Sequence, residues 1–178
     1  GDELTFWGPT LWASSVPLES NKITFHIDSD LSKNEMINMS FLQYQLVGVG
    51  EEMLFRGVIQ QSIFRLLTTG GVGKTFSRWG SILTASAVFG AAHSGRGFSA
   101  TPGIAFAAGI YLGWVYHPAD GDFDLTQPIA IHSWWDTILE HRRLTGAKYV
   151  ERKAGENAQN YSYSAYKTYP LLGIKYIF

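Results

Sequence analysis

Cysteine is absent from the chain of 178 residues, which excludes disulfides, thiol nucleophiles and cysteine metal ligands. Charge of neither sign is in clear excess, because 14 lysine and arginine residues stand against 15 acidic residues and leave a net charge of −1. Without a basic surplus, the chain lacks the electrostatic footprint of a nucleic-acid-binding protein. We therefore expect no nucleic-acid partner.

Hydrophobic residues nevertheless make up 46% of the sequence, which is enough for a sizeable core. The length indicates a single domain over residues 1–178. We predict a helical core at about 36–145, between an N-terminal flank, 1–35, and a tyrosine-rich C-terminal flank, 146–178. Short extended or strand-like segments are expected in both flanks, with no helix before the core. The fold class that follows is mainly α, a multi-helix bundle.

Alternating residues of strand type occur in both flanks: Ile23, Phe25, Ile27, Tyr161 and Tyr163. This alternation is typical of half-buried strands. The first core helix should begin after Asp30 or Ser32, since either side chain can cap a helix N-terminus. Glycines follow Thr68 closely, so we expect the helical run to end near that residue.

Two adjacent carboxylates, Glu51 and Glu52, stand inside an apolar segment with Arg56 one helical turn further on. Residues four apart share a helix face, so Glu52 can pair with Arg56 while Glu51 points elsewhere. Taken alone, that pair is an ordinary helical salt bridge. An unpaired carboxylate is costly to bury, and desolvation raises its pKa. Glu51 is therefore either exposed to solvent or catalytic.

Two later apolar segments each carry a histidine that shares a helix face with a second residue. Phe89 and His93 are four apart, as are His132 and Asp136. Each pair alone has a simpler explanation as a core histidine or a local hydrogen bond. Their joint occurrence with the glutamate pair indicates one site, because activating water requires a base, an orienting partner and a group that stabilises the developing oxyanion.

At these residues the chain resembles the CPBP family, which contains the type II CAAX prenyl endopeptidases and the bacteriocin-processing and self-immunity (ABI) proteins. The resemblance covers roughly residues 45–140. It rests on the order and spacing of the motifs, which are Glu51-Glu52 with Arg56 and a following glycine, Phe89 with His93, and His132 with Asp136. It implies a helical bundle of the CAAX-protease type.

A glycine-rich segment, GIAFAAGIYLGWVYH, stands before the last motif and also resembles that family. Small residues on a helix let neighbouring backbones approach closely. We therefore expect close helix packing at Gly103, Gly109 and Gly113.

The resemblance implies an endopeptidase that hydrolyses a peptide bond with activated water. Glu51, backed by His93, would act as the general base, and His132 with Asp136 would help to stabilise the oxyanion. The ion pair of Glu52 with its arginine would brace the helix. Prenyl endopeptidases carry asparagine where this chain has Asp136, and an ionised aspartate cannot donate a hydrogen bond to an oxyanion. Asp136 therefore either orients His132 or ligates a metal.

A metal-dependent protease is the alternative within the enzyme class. Glu51, His93 and His132 would supply three zinc ligands and leave the fourth position for water. The HExxH spacing of many zinc proteases is absent, so we favour a metal-independent enzyme without a cofactor. A non-catalytic immunity or scaffold member of the family is a further alternative. The implied substrate is a peptide or protein, either prenylated or a leader peptide, and no oligomeric state is indicated.

Hydropathy and the resemblance disagree about the membrane. The mean hydropathy of −0.02 is that of a soluble protein, and a spanning helix needs about 20 apolar residues. The stretch 97–116 has that length without formal charge but contains Pro102. The resemblance implies a multi-pass intramembrane protease, with a soluble core as the alternative. It also suggests that the chain is the catalytic core of a longer protein.

Overall fold

The computed structural model describes residues 3–15, 24–27, 32–93, 102–151, 166–169 and 174–177. Their helices, in chain order, are α1 (Glu3–Ser15), α2 (Lys33–Glu52), a π-helical segment (Met53–Gln60), α3 (Gln61–Thr69), α4 (Lys74–Ala92), α5 (Pro102–Tyr116) and α6 (Thr126–Gly146). The protein is mainly α and forms a multi-helix bundle, as predicted.

Helix α2 begins at a capping box. The Ser32 hydroxyl accepts a hydrogen bond from the Glu35 amide, and the Glu35 carboxylate accepts one from the Ser32 amide. These bonds satisfy backbone donors that have no partner within the helix. The pKa of Glu35 lies below its usual value, chiefly because the Ser32 hydroxyl donates to the Glu35 carboxylate at 2.7 Å and next because the Ser32 amide does so. Ser32 is thus the cap, and Asp30 lies outside the described residues. The helical run continues to Thr69, one residue beyond the predicted end.

The central part of this run, Met53–Gln60, is a π-helix. Its wider turn is visible where the Gln61 amide donates to the carbonyl of Arg56, five residues earlier. Short π-helical stretches are rare and frequently occur at functional sites. Nothing in the local sequence predicts this one. It follows directly after the glutamate pair.

Two close helix contacts fix the bundle. Gly48 lets α2 meet α6, since a Cβ atom there would lie 2.7 Å from the Ser133 Cα. On α5, a Cβ atom at Gly109 would lie 3.0 Å from the Ser86 Cβ, and one at Gly113 would lie 2.8 Å from the Gln60 Oε1. Close packing is therefore confirmed at these two α5 glycines. The expectation for Gly103 is wrong, because no atom of the described residues comes within 4 Å of a Cβ there.

The prediction of no helix before the core is wrong, because α1 occupies Glu3–Ser15. This helix packs on α6, where Trp12 and Trp135 have ring centroids 4.8 Å apart and Arg142 donates to the Ala13 carbonyl at 2.6 Å. Leu11 and Trp12 are exposed while the smaller Ala13 is buried, so burial of these two large apolar side chains does not mark the face that packs on the bundle. Tertiary packing rather than local periodicity stabilises α1, which is why its sequence pattern did not reveal it.

The strands are short and lie in the flanks. β1 (Thr24–Ile27) pairs in parallel with β2 (Lys148–Glu151), so that the two flanks meet. β3 (Tyr166–Tyr169) pairs antiparallel with β4 (Ile174–Ile177). The predicted strand around Tyr161 and Tyr163 lies outside the described residues.

The expected membrane spans have no counterpart in the described helices. Within residues 3–15, 32–93 and 102–146, no helix combines the length and the hydropathy that crossing a bilayer requires. The multi-pass arrangement stays a prediction, as does the division of the chain into one domain with two flanks.

Candidate active site

The three predicted motifs meet where α2, α4 and α6 come together. Glu51 Oε2 lies 3.6 Å from His93 Nε2 and 3.8 Å from His132 Nε2. Asp136 Oδ2 lies 3.3 Å from the same His132 nitrogen. Groups far apart in the chain are thus adjacent in space, while their catalytic roles stay predictions.

Glu52 forms the floor of this cluster. It is fully buried, and its Oε2 accepts a hydrogen bond from Arg56 Nε at 2.9 Å, the ion pair that the spacing predicts. Its Oε1 lies 2.8 Å from His132 Nδ1. Glu52 therefore does more than brace its own helix, because it also connects that helix to α6.

Arg56 is fully buried beside an aromatic ring. Its guanidinium carbon lies 5.3 Å from the centroid of Phe89, which also packs edge-on against Phe55 at 5.0 Å. The face of an aromatic ring attracts a cation. Neither Nη atom of Arg56 has a hydrogen-bond partner within the described part of the chain. The Glu52 carboxylate and the Phe89 ring are therefore the groups that stabilise this buried charge.

The orientation of His93 is fixed by its own helix. Its Nδ1 lies 2.7 Å from the Phe89 carbonyl oxygen, and a carbonyl can only accept, so Nδ1 carries the hydrogen and donates it. In the neutral ring, Nε2 then presents a lone pair toward Glu51. The 3.6 Å between Nε2 and Glu51 Oε2 exceeds a direct hydrogen bond. The gap is too short to hold a water molecule between the two atoms, but one water beside the line that joins them can contact both.

His132 has a carboxylate at each ring nitrogen. Nδ1 faces Glu52 at 2.8 Å and Nε2 faces Asp136 at 3.3 Å. Ionised carboxylates only accept hydrogen bonds, so an imidazolium, which carries hydrogen on both nitrogens, suits this arrangement. Burial lowers the pKa of His132, but the charges and hydrogen bonds of Asp136 and Glu52 together outweigh burial and raise the pKa well above 6.5.

Side-chain exposure separates the site into two layers. Glu52 and Arg56 have no exposed side-chain surface, whereas Glu51 keeps 11%, His93 13% and Asp136 21%. Among these side chains Asp136 and His93 keep the largest exposed fractions, and both Glu51 oxygens are themselves buried. The buried pair of Glu52 and Arg56 lies beneath these side chains.

The structure gives the zinc alternative no additional support. Across the described residues, no group of three or more histidine, aspartate and glutamate side chains has the geometry to hold a metal ion. The metal-independent assignment stays a prediction.

Polar groups next to the motifs, which sequence reasoning missed, set the register of α2 against α6. Gln45 Nε2 donates to Thr137 Oγ1 at 3.0 Å, and Ser133 Oγ donates to the Gln45 carbonyl at 3.2 Å. Gln45 stands two helical turns before Glu52 and so shares its face. This spacing predicts that Gln45 and Glu52 share a face, but it does not specify which helix that face contacts.

Comparison with known proteins gives one match. The family model described as type II CAAX prenyl endopeptidase Rce1-like matches residues 33–138, which is more than half of the chain and includes every motif residue discussed above. No curated protein and no solved structure matches the chain.

Proposed function

The chain belongs to the Rce1-like family of type II CAAX prenyl endopeptidases, and we propose that it hydrolyses peptide bonds with water activated by Glu51 and His93. The observation that carries this proposal is the gap of 3.6 Å between Glu51 Oε2 and His93 Nε2. Two acceptors that face each other across such a gap can both bind one water molecule. The Glu51 oxygens are buried, while the His93 side chain keeps 13% of its surface exposed.

In the proposed reaction, Glu51 accepts a proton from the water while His93 Nε2 accepts a hydrogen bond from the water's other hydrogen. The resulting hydroxide attacks the carbonyl carbon of the scissile peptide. Glu51 then returns the proton to the leaving amine as the carbon–nitrogen bond breaks. General acid–base catalysis of this kind contributes about 10²- to 10⁴-fold to the rate.

The negative charge that develops on the peptide oxygen is stabilised by His132. Its Nε2, which faces Asp136 in the resting site, lies 3.8 Å from the Oε2 of the proposed base Glu51. Asp136 is an acceptor, so it cannot replace the asparagine of the prenyl endopeptidases as a second donor. Its proposed task is to keep His132 protonated, and Glu52 does the same from the other side of the ring.

The proposed substrate is a peptide or protein, prenylated or a leader peptide, and it is met at a membrane. This follows from the family, whose members act on CAAX proteins and are membrane-associated. The structure supports the reaction class more directly than the substrate, because the site geometry concerns the scissile bond alone.

The test compares the wild type with Glu51→Gln in cleavage of a farnesylated CAAX peptide in detergent, with an unprenylated peptide as the substrate control. We expect Glu51→Gln to lower kcat by about 10²-fold or more without changing the melting temperature, since the amide has nearly the shape of the carboxylate. Cleavage of both peptides at equal rates would show that the enzyme does not recognise the prenyl group of its substrate. Full activity in the variant would contradict the assigned base.

A chelator distinguishes the metal-dependent alternative in the same assay. We expect the wild-type rate to stay unchanged after incubation with EDTA and 1,10-phenanthroline. Loss of the rate, followed by recovery on addition of zinc, would establish the metal-dependent alternative, for which Glu51, His93 and His132 are the expected ligands. A scaffold or immunity protein would cleave neither peptide and would keep its biological effect in Glu51→Gln.

A further inference from the structure

A second titratable group, His117, is buried outside the candidate active site. It follows α5 directly, and its side chain has no exposed surface. Neither ring nitrogen has a hydrogen-bond partner within the part of the chain that the structure describes. Leaving polar atoms buried and unsatisfied costs free energy, so this arrangement is unusual for a residue with only a packing function.

Two aromatic rings enclose the imidazole. Phe123 stacks on it, with centroids 4.2 Å apart and an interplanar angle of 28°, and Phe64 from α3 meets it edge-on at 4.6 Å. Phe64 and Phe123 also contact each other at 5.5 Å. We call these three residues the His117 cluster. Through Phe123, the cluster fastens the turn formed by residues 117–125 onto the end of the bundle.

The charged groups around the cluster act on the protonation of His117 in opposite directions. Arg78 from α4 binds the turn, donating from Nη1 to the Pro118 carbonyl at 2.7 Å and lying 3.6 Å from Asp120. Burial and the charge of Arg78 lower the pKa of His117, and Asp120 and Asp122 oppose them only in part. The imidazole is therefore neutral while the cluster is closed.

The remaining neighbours add no acceptor charge. On the α3 side, Phe64 is apolar, and the nearby cation Arg65 acts on Tyr116. Burial raises the pKa of that phenol, with Arg65 opposing, so Tyr116 stays neutral. Within the described residues, nothing that faces His117 from α3 or α5 would stabilise an imidazolium.

The turn leads directly into the helix that carries the active-site histidine. Asp124 Oδ1 accepts a hydrogen bond from the Thr126 amide at 2.8 Å, at the first residue of α6. The Leu125 side chain lies 3.6 Å from the position of a Cβ atom at Gly57, which is the residue after Arg56. The turn therefore touches both the start of α6 and the π-helix of the site.

We propose that the His117 cluster is an acid-operated latch, in which a proton on the imidazole expels it from between Phe64 and Phe123 and releases the turn that precedes α6. An imidazolium carries two N–H donors and needs two acceptors, which the closed cluster does not offer and water does. The attraction of a stacked phenyl ring for a cation does not replace that hydration. The latch is a regulatory device, and it does not depend on the proposed peptidase activity.

The pH range over which the latch opens follows from the pKa of His117 in the open and closed forms. The open form binds a proton with the ordinary pKa of about 6.5, whereas the closed form binds it with a lowered pKa. Closure is therefore fully favoured above pH 6.5. It weakens as the pH falls from 6.5 toward the lowered value, and the ratio of open to closed form rises by about tenfold per pH unit.

Hydrogen exchange measured by mass spectrometry tests the latch on the full chain. Rates at pH 7.5 and pH 5.0 are compared after correction for the intrinsic pH dependence of chemical exchange. In the wild type, peptides spanning 117–126 should exchange about tenfold faster at pH 5.0. In His117→Phe, which keeps a stacked ring but cannot titrate, the corrected rates should be equal. His141→Gln, which removes an exposed histidine of α6, should behave like the wild type.

An acid response in His117→Phe equal to that of the wild type, or no response in the wild type, would overturn the proposal. If His117→Phe does not fold, NMR titration of the His117 ring in the wild type decides instead. The latch requires a pKa below 6.5 there, and a value at or above 6.5 would refute it. Neither readout uses catalysis, so an inactive peptidase would leave this result intact.

Discussion

Glu51 and Glu52 are adjacent in the chain but have separate tasks in the site. Glu52 is fully buried, and its oxygens contact Arg56 Nε and His132 Nδ1. Glu51 keeps partial exposure and faces the Nε2 atoms of His93 and His132. Successive residues of a helix point about 100° apart, so neighbouring glutamates naturally enter different environments. One of them anchors the two helices, and the other is the proposed base.

Asp136 is the residue whose chemistry departs from the prenyl endopeptidases, and its replacement gives a pH prediction. In Asp136→Asn, His132 loses the carboxylate that does most to raise its pKa, so that pKa should fall. Since the protonated ring is the proposed donor, activity is lost as pH rises through the pKa of His132. The alkaline limb of the kcat/KM profile should therefore move to lower pH, measured with the farnesylated peptide.

The plateau of the same pH profile, on the acidic side of that limb, provides the control. Because Asp136 donates no hydrogen bond to the oxyanion, the loss on the plateau should stay below the roughly 100-fold cost of removing an oxyanion donor. An alkaline limb that stays in place in Asp136→Asn would show that the aspartate does not govern the protonation of His132.

At the scale of elements, the π-helix explains how one helix supplies both the base and the buried cation. Phe55 and Gln60 are five residues apart, yet both are buried, with Arg56 between them. The wider turn brings i and i+5 onto one face. Gln60 Nε2 then donates to the Gly113 carbonyl at 3.0 Å, which fastens the end of this segment to α5. The site thus lies next to a fixed irregularity of the backbone.

The crossing of α2 and α6 at Gly48 sets the distance between Glu52 and His132. In Gly48→Ala the new Cβ would meet the Ser133 backbone at 2.7 Å, so α6 must move outward. Overpacking of this kind costs about 1–3 kcal/mol of stability. Misplacement of His132 should also lower kcat by roughly 10- to 100-fold. Thermal unfolding and peptide cleavage measure the two effects.

Gly50 on the same helix provides a matched control. No atom of the described residues lies within 4 Å of a Cβ at Gly50. Gly50→Ala should stabilise the protein by about 0.5–1 kcal/mol, because alanine is the better helix former, and leave kcat unchanged. Equal effects of the two substitutions would show that the contact with Ser133 does not control the site.

At the scale of the whole molecule, α4 and α5 connect two functional ends. Near the active site, a Cβ at Gly90 would lie 2.9 Å from the Pro102 carbonyl, and at the other end Arg78 binds the Pro118 carbonyl. The 15 residues from Arg78 to His93 span about 22 Å of helix. The His117 cluster is thus remote from the proposed water, and the turn that contains it contacts both the start of α6 and the π-helix.

Much of the helical core and the membership of the site could be predicted from the sequence. Spacings of four residues place Glu52 with Arg56 and His132 with Asp136 on shared faces, and both pairs are in contact. That His93 lies beside Glu51 rested on motif order and on the chemical requirements of one site. Local periodicity alone cannot specify which helices meet.

Other features depend on tertiary contacts and had no local signal. The bond between Glu52 and His132 joins residues 80 positions apart, and the π-helix changes the register of a segment that reads as an ordinary helix. Helix α1 is stabilised on α6 by Trp12 against Trp135 rather than by an amphipathic pattern of its own. Such features become visible only once the helices are assembled.

The central claim, that Glu51 and His93 act on one water molecule, is tested most directly by a double-mutant cycle. The kcat values of wild type, Glu51→Gln, His93→Ala and the double variant are measured with the farnesylated peptide in the presence of chelator. Residues that act as a unit are strongly non-additive, so each single variant should lose about 10²- to 10⁴-fold and the double variant hardly more. Losses that multiply in the double variant, or a single variant with wild-type kcat, would contradict the account.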